Sequence, residues 1–413
     1  MPIRKGKAVL HLERPPQIRA RAAVGGNAEA AGPLGASFDQ LFPDPYMGLE
    51  TWEQAESALL KAALEHALRK GNIESKDVDL LLCGDLLNQC TATGFAARDL
   101  GIPLAGLYGA CSTFAMALAL GALQMDGGGF SHILAAASSH FCAAEKQFRF
   151  PLEYGGQPQA AGQRTATAAG ALLLEAPPEL SFIEKQLERL GTIRESAAEI
   201  RKPEALADTP ITVGIPNVIL GRVVDLGVKD SAEMGAAMAP AACDTLLRFL
   251  ADTATAPEAY DCILTGDLGQ VGSELLYDLC MQEAHIDIRQ VHKDGGTLLY
   301  DIETQAEAGV GGSGAGCSAA VVCTYVLQQL EAARWTRVLF LGTGALLSAI
   351  SPLQGQTIPC ICHGVELAPF ADGKHRIRHR LAETSDTPQE DLMTGVWHEA
   401  LKNKLLGTFD KNT

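Results

Sequence analysis

The stretch Leu107-Tyr108-Gly109-Ala110-Cys111-Ser112-Thr113 decides the fold of this chain. It ends a short apolar segment, residues 102–108, that we expect to be a strand, and it precedes an apolar segment, residues 114–125, that we expect to be a helix. A thiol at such a turn lies above the helix N-terminus, where free backbone N–H groups and the helix dipole favour the thiolate. Cys111 is therefore a candidate nucleophile for acyl transfer.

The second half of the chain repeats this arrangement. A Gly-rich turn with Cys317 precedes an apolar helix (319–330) and a strand (338–341), just as the first helix precedes a strand at 133–136. Upstream, the segments DLLLCGDL (79–86) and DCILTGDL (261–268) are identical at five of eight positions. Each half is thus a series of βαβ units, which indicates a parallel-rich sheet.

A helix is expected before each copy of this strand. The first covers residues 52–70, with Thr51 and Gln54 placed as a capping box and Gly71 at its end. The second covers residues 231–250, with Asp230 and Glu233 in the same relation, and Pro240 should kink it.

The two helices after Cys111 and Cys317 are apolar on all sides, which is typical of fully buried helices. Two sheets that enclose this pair would form an α/β fold, a duplicated five-layer α/β/α/β/α sandwich with the two cysteines at equivalent positions. We expect halves at 1–179 and 211–367, a polar linker or insertion at 180–210, and a charged C-terminal extension at 368–413.

Composition excludes several classes of function. The 413 residues carry a net charge of −16, which argues against nucleic-acid binding. No secretory signal and no apolar run of about 18 residues is present, so we expect no transmembrane span. The 11 scattered cysteines indicate reduced, buried thiols of a cytosolic protein, and no second cysteine pair accompanies Cys360 and Cys362 at metal-ligand spacing.

Longer motifs resemble a known family. They are GDLLNQ (84–89), LYGACST (107–113), AEKQFRFP (144–151), VVDLG (223–227), MGAAMAPAA (234–242) and GGSG (311–314). Together they span roughly residues 20–367 and are similar to the stage V sporulation protein AD family, which has the thiolase-like fold of thiolases and ketoacyl-ACP synthases. The linker and the tail after about residue 366 look like additions to the family pattern.

The resemblance implies a protein of endospore-forming bacteria that binds dipicolinic acid (pyridine-2,6-dicarboxylate). That compound is taken up with calcium by the developing spore and released on germination. The other stage V sporulation A membrane proteins are the implied partners, and the implied location is the forespore or spore, at the cytoplasmic face or periphery of the spore inner membrane. The resemblance also implies a homodimer through the edge strand at 101–107, because an exposed apolar edge needs a partner.

Catalysis is not expected from this resemblance. In condensing enzymes of the fold, the cysteine works with a histidine and with a second histidine or an asparagine. The corresponding segments here, GDLGQ (266–270) and GGSG (311–314), contain neither residue, so stabilisation of an oxyanion is lost. Cys111 would then be a vestigial nucleophile in a binding pocket; the alternative is a condensing-type acyltransferase that uses Cys111.

A dianionic ligand needs cations or N–H donors around its carboxylates. The candidate binding residues lie at the cysteine turn, after the next strand, and in two glycine loops: Cys111, Ser112, Thr113, His140, Lys146, Arg149, Gly312, Ser313 and Gly344. His140 could equally be structural, and the two cations could equally be surface or interface charges. We expect no cofactor and no resident metal, with dipicolinate bound with or without calcium.

Two aspartates, Asp85 and Asp267, end equivalent strands. A pair of carboxylates would suit acid–base work or calcium binding, but duplication alone accounts for the pair. We therefore expect a structural role for both.

Overall fold

The two halves of the chain form sheets with the same strand order. The computed structural model describes residues 1–148, 161–177, 211–371 and 374–375. Its strands are β1 (Ile3–Lys5), β2 (Val9–His11), β3 (Gln17–Gly25), β4 (Gln40–Leu41), β5 (Leu80–Gly84), β6 (Leu104–Gly106), β7 (His132–Ser139), β8 (Arg164–Thr165), β9 (Ala168–Glu175), β10 (Thr212–Gly214), β11 (Asn217–Ile219), β12 (Cys262–Thr265), β13 (His292–Asp294), β14 (Gly312–Ser313), β15 (Val338–Ala345), β16 (Cys360–Ala371) and β17 (Lys374–His375).

The first sheet has the order β6-β5-β7-β9-β3 and the second has β13-β12-β15-β16-β11. In each sheet the first three strands are parallel and the next two pairings are antiparallel. The shared order confirms the duplication that the paired Gly-Asp segments predicted.

Helices cover both sheets and fill the space between them. They are α1 (Asn27–Ala31), α2 (Trp52–Gly71), α3 (Thr91–Leu100), α4 (Thr113–Asp126), α5 (Phe141–Phe148), α6 (Met234–Thr253), α7 (Gly269–Ala284), α8 (Gly295–Leu299), α9 (Ala315–Val321) and α10 (Leu327–Glu331). α4 contacts strands of both sheets, and α9 packs against α4 and the first sheet. α2 with α3 covers the outside of the first sheet, and α6 with α7 covers the outside of the second. The five-layer, thiolase-like sandwich expected from the sequence is confirmed.

The central helices are buried because their side chains are apolar around the whole circumference. Phe114 and Leu118 of α4 are completely buried in the central core, which also contains Cys317 and Val321 of α9. α9 continues through a π-helical turn, Val322–Val326, into α10. The turns that begin α4 and α9 thereby lie between the two sheets, where Cys111 and Cys317 are both buried.

Two helix ends differ from the sequence prediction. α2 begins with the expected capping box of Thr51 and Gln54, but the left-handed residue that ends it is Asn72 (φ 51°), one residue after Gly71. Gly71 is required instead by packing, since a Cβ there would lie 2.4 Å from Leu173. α6 begins at Met234, and Asp230 accepts a hydrogen bond from the backbone of Ala232, so the second capping box does not form.

The two halves exchange short strands. The N-terminal β2 pairs with β11 of the second sheet, whereas β10 pairs with β3 of the first. β16 belongs to both sheets: residues 360–367 pair with β15 and residues 368–370 pair with β10. The described helices include none with the length and apolar character needed to span a membrane.

Candidate functional site

The turn that carries Cys111 is fixed by its own hydroxyl groups. Ala110 has a positive φ of 50°, a conformation that costs a non-glycine residue about 1 kcal/mol or more. The Ser112 hydroxyl donates to the carbonyl of Gly109 over 2.6 Å, and the Thr113 hydroxyl accepts from the Gly109 N–H over 3.0 Å and donates to the Ala110 carbonyl over 2.7 Å. These bonds stabilise the strained turn. Because both hydroxyl protons are donated within the turn, neither is available to a ligand.

Gly344 completes the turn by its lack of a side chain. A Cβ at this position would lie 2.3 Å from the Gly109 oxygen and 2.9 Å from the Ser112 nitrogen. Strand β15 of the second sheet can therefore lie directly against the turn that begins α4.

The thiol of Cys111 faces a carboxyl group from the other half of the molecule. Its sulphur lies 3.9 Å from the Ser313 hydroxyl oxygen, and the thiol also interacts with Asp267. Burial, and then the negative charge of Asp267, raise the pKa of Cys111 well above its usual value. The activated thiolate expected from the helix N-terminus is therefore not found, because burial and the carboxylate outweigh the helix.

Asp267 is held by three hydrogen bonds from two segments. Its Oδ2 accepts from the Ser313 hydroxyl over 3.2 Å and from the Gly314 N–H over 3.0 Å, and its Oδ1 accepts from the Thr343 hydroxyl over 2.7 Å. Burial raises the pKa of this carboxyl group. The carboxyl group thus links the ends of β14 and β15 behind the cysteine.

The equivalent Asp85 has a different environment. Its carboxylate accepts from the Leu87 N–H over 2.9 Å and from the N–H and hydroxyl of Thr93 over 2.8 and 2.7 Å, all within the first half. The expected structural role fits Asp85. Asp267 makes structural hydrogen bonds as well, but it lies beside Cys111, a position that the sequence alone did not single out. The signal for it was its place two residues after the end of β12, in the segment 266–270 where condensing enzymes are expected to carry a histidine.

A cavity of about 60 Å³ opens at Cys111. The residues that line it come from both halves: Leu86, Tyr108, Ala110, Cys111, Ala144, Glu145, Phe148, Thr165, Ser231, Met234, Ser313, Ala345 and Leu347. Most are apolar, and none of these lining residues, all within the described ranges, is a lysine or an arginine. Thr165 and Ser313 are brought together by the parallel pairing of β8 with β14 across the two halves.

The structure brings only some of the predicted binding residues to this cavity. Cys111 and Ser313 line it, while Ser112, Thr113 and Gly344 form the turn beneath. Gly312 lies next to Ser313 and its carbonyl accepts a hydrogen bond from the Gln163 side chain over 3.0 Å.

His140 and Lys146 are engaged elsewhere. His140 is buried, its Nε2 lies 2.8 Å from the Pro45 carbonyl oxygen, and burial lowers its pKa. Lys146 forms an ion pair with Glu53 over 2.7 Å on the surface. Neither lines the cavity, and Arg149 lies outside the described residues.

A second helix N-terminus lies at the cavity. Ser231 and Met234 line it, and Met234 is the first residue of the 20-residue helix α6. Among the described residues no side chain caps this N-terminus. Its first turn contains no acidic residue, although the residue immediately before it is Glu233. Free N–H groups and the positive end of a long helix dipole are suited to an anion.

Metal ligation has no evident place in the described part of the chain, where no three His, Cys, Asp or Glu side chains are grouped closely enough to hold an ion. What the cavity offers is a protonated thiol, hydroxyl groups, the carboxyl group of Glu145, apolar walls and two helix N-termini.

Solved structures with a similar fold include condensing enzymes. The tetronic acid condensing enzyme AbyA1 is 18% identical, with a TM-score of 0.49, and the match covers 85% of this chain and 99% of that one. The 3-oxoacyl-[acyl-carrier-protein] synthase III from Aquifex aeolicus VF5 is 12% identical, with a TM-score of 0.47, over 86% of this chain and 100% of that one.

A closer relationship is found at the level of sequence. Residues 6–368 match the family described as Stage V sporulation protein AD (SpoVAD). The chain is also 37% identical over 360 residues to the Stage V sporulation protein AD of Bacillus subtilis (strain 168), which covers 87% of this chain and 96% of that protein. This chain belongs to the stage V sporulation protein AD family.

Proposed function

We propose that this sporulation protein binds dipicolinic acid without catalysing a reaction, and that it serves uptake of the compound into the developing spore and its release on germination. The other stage V sporulation A membrane proteins would be its partners at the spore inner membrane. The observation that carries the proposal is the contact of Cys111 with the Ser313 hydroxyl, which in turn donates to Asp267. A carboxylate stands where an acyl-transfer enzyme of this fold needs an electrophilic donor.

The alternative, a condensing-type acyltransferase, is opposed by the electrostatics of this contact. A tetrahedral intermediate at Cys111 would place a new negative charge close to Asp267 instead of a donor. The raised pKa of Cys111 also reduces the fraction of thiolate at neutral pH.

The size of the cavity supports a small ligand. A volume of 60 Å³ gives room for about five water-sized molecules. That is too little for an extended pantetheine arm. A compact ring with two carboxylates, which has twelve non-hydrogen atoms, would fit with one end in the open mouth of the cavity. The apolar side chains of Leu86, Phe148 and Met234 would contact the faces of the ring.

The carboxylates of the ligand would bind at helix N-termini. One would lie at the turn of Cys111 that begins α4, and the other at the uncapped start of α6. Asp267 already accepts three hydrogen bonds from described residues, and these partly offset its charge. Calcium would further offset this negative charge, so dipicolinate binding should be measured with and without calcium.

Isothermal titration calorimetry with dipicolinate tests the proposal directly. We expect saturable binding to the wild-type protein and none to Cys111→Trp, whose side chain would fill the cavity. Cys111→Ala should weaken binding by about 1 kcal/mol or less, because the N–H donors stay in place. Circular dichroism of each variant checks that the fold is intact.

A matched pair of variants tests the role of α6. Ser231→Asp places a carboxylate at the start of the helix and should weaken dipicolinate binding about tenfold or more. Ser231→Asn has nearly the same shape without the charge and should bind like the wild type. Equal binding of dipicolinate by the two variants would show that the start of α6 does not contribute to the site.

Covalent loading distinguishes the binder from the enzyme. We expect no acyl adduct on Cys111 after incubation with acetyl-CoA or malonyl-CoA, as measured by mass spectrometry of the intact protein. An adduct that forms on the wild type and is lost in Cys111→Ala would overturn the proposal in favour of the acyltransferase.

A further inference from the structure

A second cleft lies in the C-terminal half, away from the Cys111 cavity. It has a volume of about 280 Å³ and runs between α7 and the segment formed by β13 and α8. Its lining residues are Gln270, Ser273, Glu274, Tyr277, His292, Lys293, Asp294, Thr297 and Leu298, none of which lines the Cys111 cavity.

A chain of hydrogen bonds forms one side of this cleft. The Tyr277 hydroxyl lies 2.8 Å from His292 Nδ1, His292 Nε2 lies 2.9 Å from the Thr265 hydroxyl, and that hydroxyl donates to Asp294 over 2.8 Å. Burial lowers the pKa of His292 to about 4, so the imidazole is neutral at physiological pH.

The direction of each bond follows from counting protons. Thr265 has a single hydroxyl proton, which it gives to Asp294, so it must accept the proton of His292 Nε2. Because the neutral ring carries its proton on Nε2, Nδ1 carries no proton, and the Tyr277 hydroxyl must donate to it. Tyr277 therefore has no proton left for a ligand.

Two other hydroxyl groups of the cleft also donate their protons within the protein. Ser273 donates to the Gly269 carbonyl over 2.7 Å, and Thr297 donates to the Asp294 carbonyl over 3.0 Å. All three hydroxyl groups of the lining can thus only accept hydrogen bonds from a ligand, which must bring its own donors.

Two opposite charges face the cleft from different elements. Glu274 belongs to α7 and Lys293 to β13. With the other described residues, neither side chain forms an ion pair or a hydrogen bond, and the two do not pair with each other. The remaining charged groups nearby are satisfied: Asp294 accepts three backbone N–H bonds, and the Arg289 guanidinium lies over the Tyr277 ring, 4.9 Å from its centre.

We infer that this cleft binds a small zwitterion that carries both an ammonium and a carboxylate group, as amino acids do. The ammonium donates to the hydroxyl oxygens and pairs with Glu274, and the carboxylate pairs with Lys293. The site is independent of the proposed dipicolinate site. Exposed ion pairs are weak, so the affinity should be in the millimolar range.

Saturation-transfer difference NMR on the full chain is suited to such affinities. The probes are glycine and 4-aminobutanoate, with butanoate and butylamine as analogues that each carry one charge. We expect at least one zwitterion to bind more tightly than either analogue. Dipicolinate, which has no ammonium group, should not displace it.

Charge variants test the assignment of the residues. Glu274→Gln and Lys293→Gln should each weaken zwitterion binding about two- to fivefold, and Tyr277→Phe should weaken it by removing one acceptor. Glu65→Gln removes the same charge from an exposed position on α2 and should bind like the wild type. Glu274 and Lys293 are exposed and form no ion pair or hydrogen bond with the residues that the structure describes, so their variants should unfold at the wild-type temperature.

Three results would overturn the inference. They are the absence of zwitterion binding at tens of millimolar, equal binding of butylamine and 4-aminobutanoate, and an unchanged affinity in both Glu274→Gln and Lys293→Gln. Displacement of the zwitterion by dipicolinate would place it in the Cys111 cavity instead and would also contradict the inference.

Discussion

At the residue scale, two aspartates that arose by duplication have different surroundings. Asp85 accepts bonds from Leu87 and Thr93 of its own half, whereas Asp267 bonds to Ser313, Gly314 and Thr343 beside Cys111. The same Gly-Asp sequence therefore stabilises a turn in the first half, whereas in the second half its carboxylate helps to raise the pKa of Cys111.

We expect Asp267→Asn to lower the pKa of Cys111, because it removes the nearby negative charge that helps to raise it. Alkylation of Cys111 by iodoacetamide, followed by peptide mass mapping, should then begin at a lower pH than in the wild type. Asp85→Asn is the matched control, since it removes the equivalent carboxylate from the other half. An unchanged alkylation profile in Asp267→Asn would mean that burial alone protects the thiol.

The sequence predicted part of this site for clear reasons. Cys111 and Ser313 were found because the turn and the glycine loop are local patterns whose positions follow from the duplicated fold. His140 and Lys146 were placed at the site by their closeness in sequence to a strand end. Their actual partners, Pro45 and Glu53, come from a distant segment that no local pattern reveals.

At the scale of elements, glycine decides how closely the second sheet approaches the cysteine turn. Gly344→Ala should reduce the free energy of unfolding by about 1–3 kcal/mol, because the new Cβ would overlap with the Gly109 oxygen. Gly94→Ala in the interior of α3 is the control. Its Cβ would meet no atom within 4 Å, and it should stabilise the protein by about 0.5–1 kcal/mol. Urea denaturation measures both, and equal stability of the two variants would refute the packing argument.

Helix α2 carries a buried carboxyl group whose ionisation makes the stability of the protein depend on pH. Glu56 is fully buried, and its Oε1 accepts a hydrogen bond from Ser138 over 3.1 Å, while its Oε2 has no hydrogen-bond partner within the part of the chain that the structure describes. Burial raises the pKa of Glu56 well above 4.5. The folded state therefore binds this proton more tightly than the unfolded state does. Its stabilising effect is fully present below pH 4.5 and is lost as the pH rises toward the folded pKa.

We therefore expect Glu56→Gln to become more stable relative to the wild type as the pH rises from 5 to 8. The amide has the shape of the protonated acid and cannot ionise. Glu53→Gln on the same helix is the control. Burial opposes the Lys146 ion pair, but the pKa of Glu53 is lowered overall, so its stabilising effect is lost only below pH 4.5 and this variant should keep a nearly constant difference from the wild type between pH 5 and 8. Urea denaturation at both pH values measures the difference, and parallel pH dependence of Glu56→Gln and the wild type would contradict it.

The type of most elements could be predicted from periodicity, but their ends could not. The π-helical turn after α9 shows why. There the Cys323 carbonyl accepts a hydrogen bond from Arg21, a residue of β3, over 2.6 Å. A contact between residues 302 positions apart leaves no signal in the local sequence.

At the scale of the whole molecule, the outer edge of β6 in the first sheet pairs with no other strand of the described residues. β6 pairs with β5 on one side, and Leu104 on β6, Phe95 on α3 and Tyr108 after the strand are 40%, 49% and 46% exposed. We expect two copies to pair through this edge, as the resemblance to the family suggested.

Leu104→Lys should shift the protein from dimer to monomer at micromolar concentration, as measured by multi-angle light scattering, because a charged edge strand resists pairing. Leu353→Lys is the control, since Leu353 is 83% exposed, more than any other leucine that the structure describes, and lies in a short 3-10 helix (Pro352–Gln354) of the second half. A monomeric wild type would refute the dimer, and a dimeric Leu104→Lys would place the interface elsewhere.

The duplication made the overall architecture predictable, because each half could be compared with the other. The strand exchange was not, since β2, β10 and β11 each have only three residues. Segments of that length carry too little pattern to show which sheet they join.

The exchanged strands delay the completion of both sheets while the chain is being synthesised. The N-terminal β2 is made first, but its partner β11 emerges about 200 residues later and β16 later still, which at about 5–20 residues per second is a delay of roughly 10–40 s. Until then the nascent chain exposes unpaired strand edges on the ribosome. Translation must pass residue 371 before either half is complete.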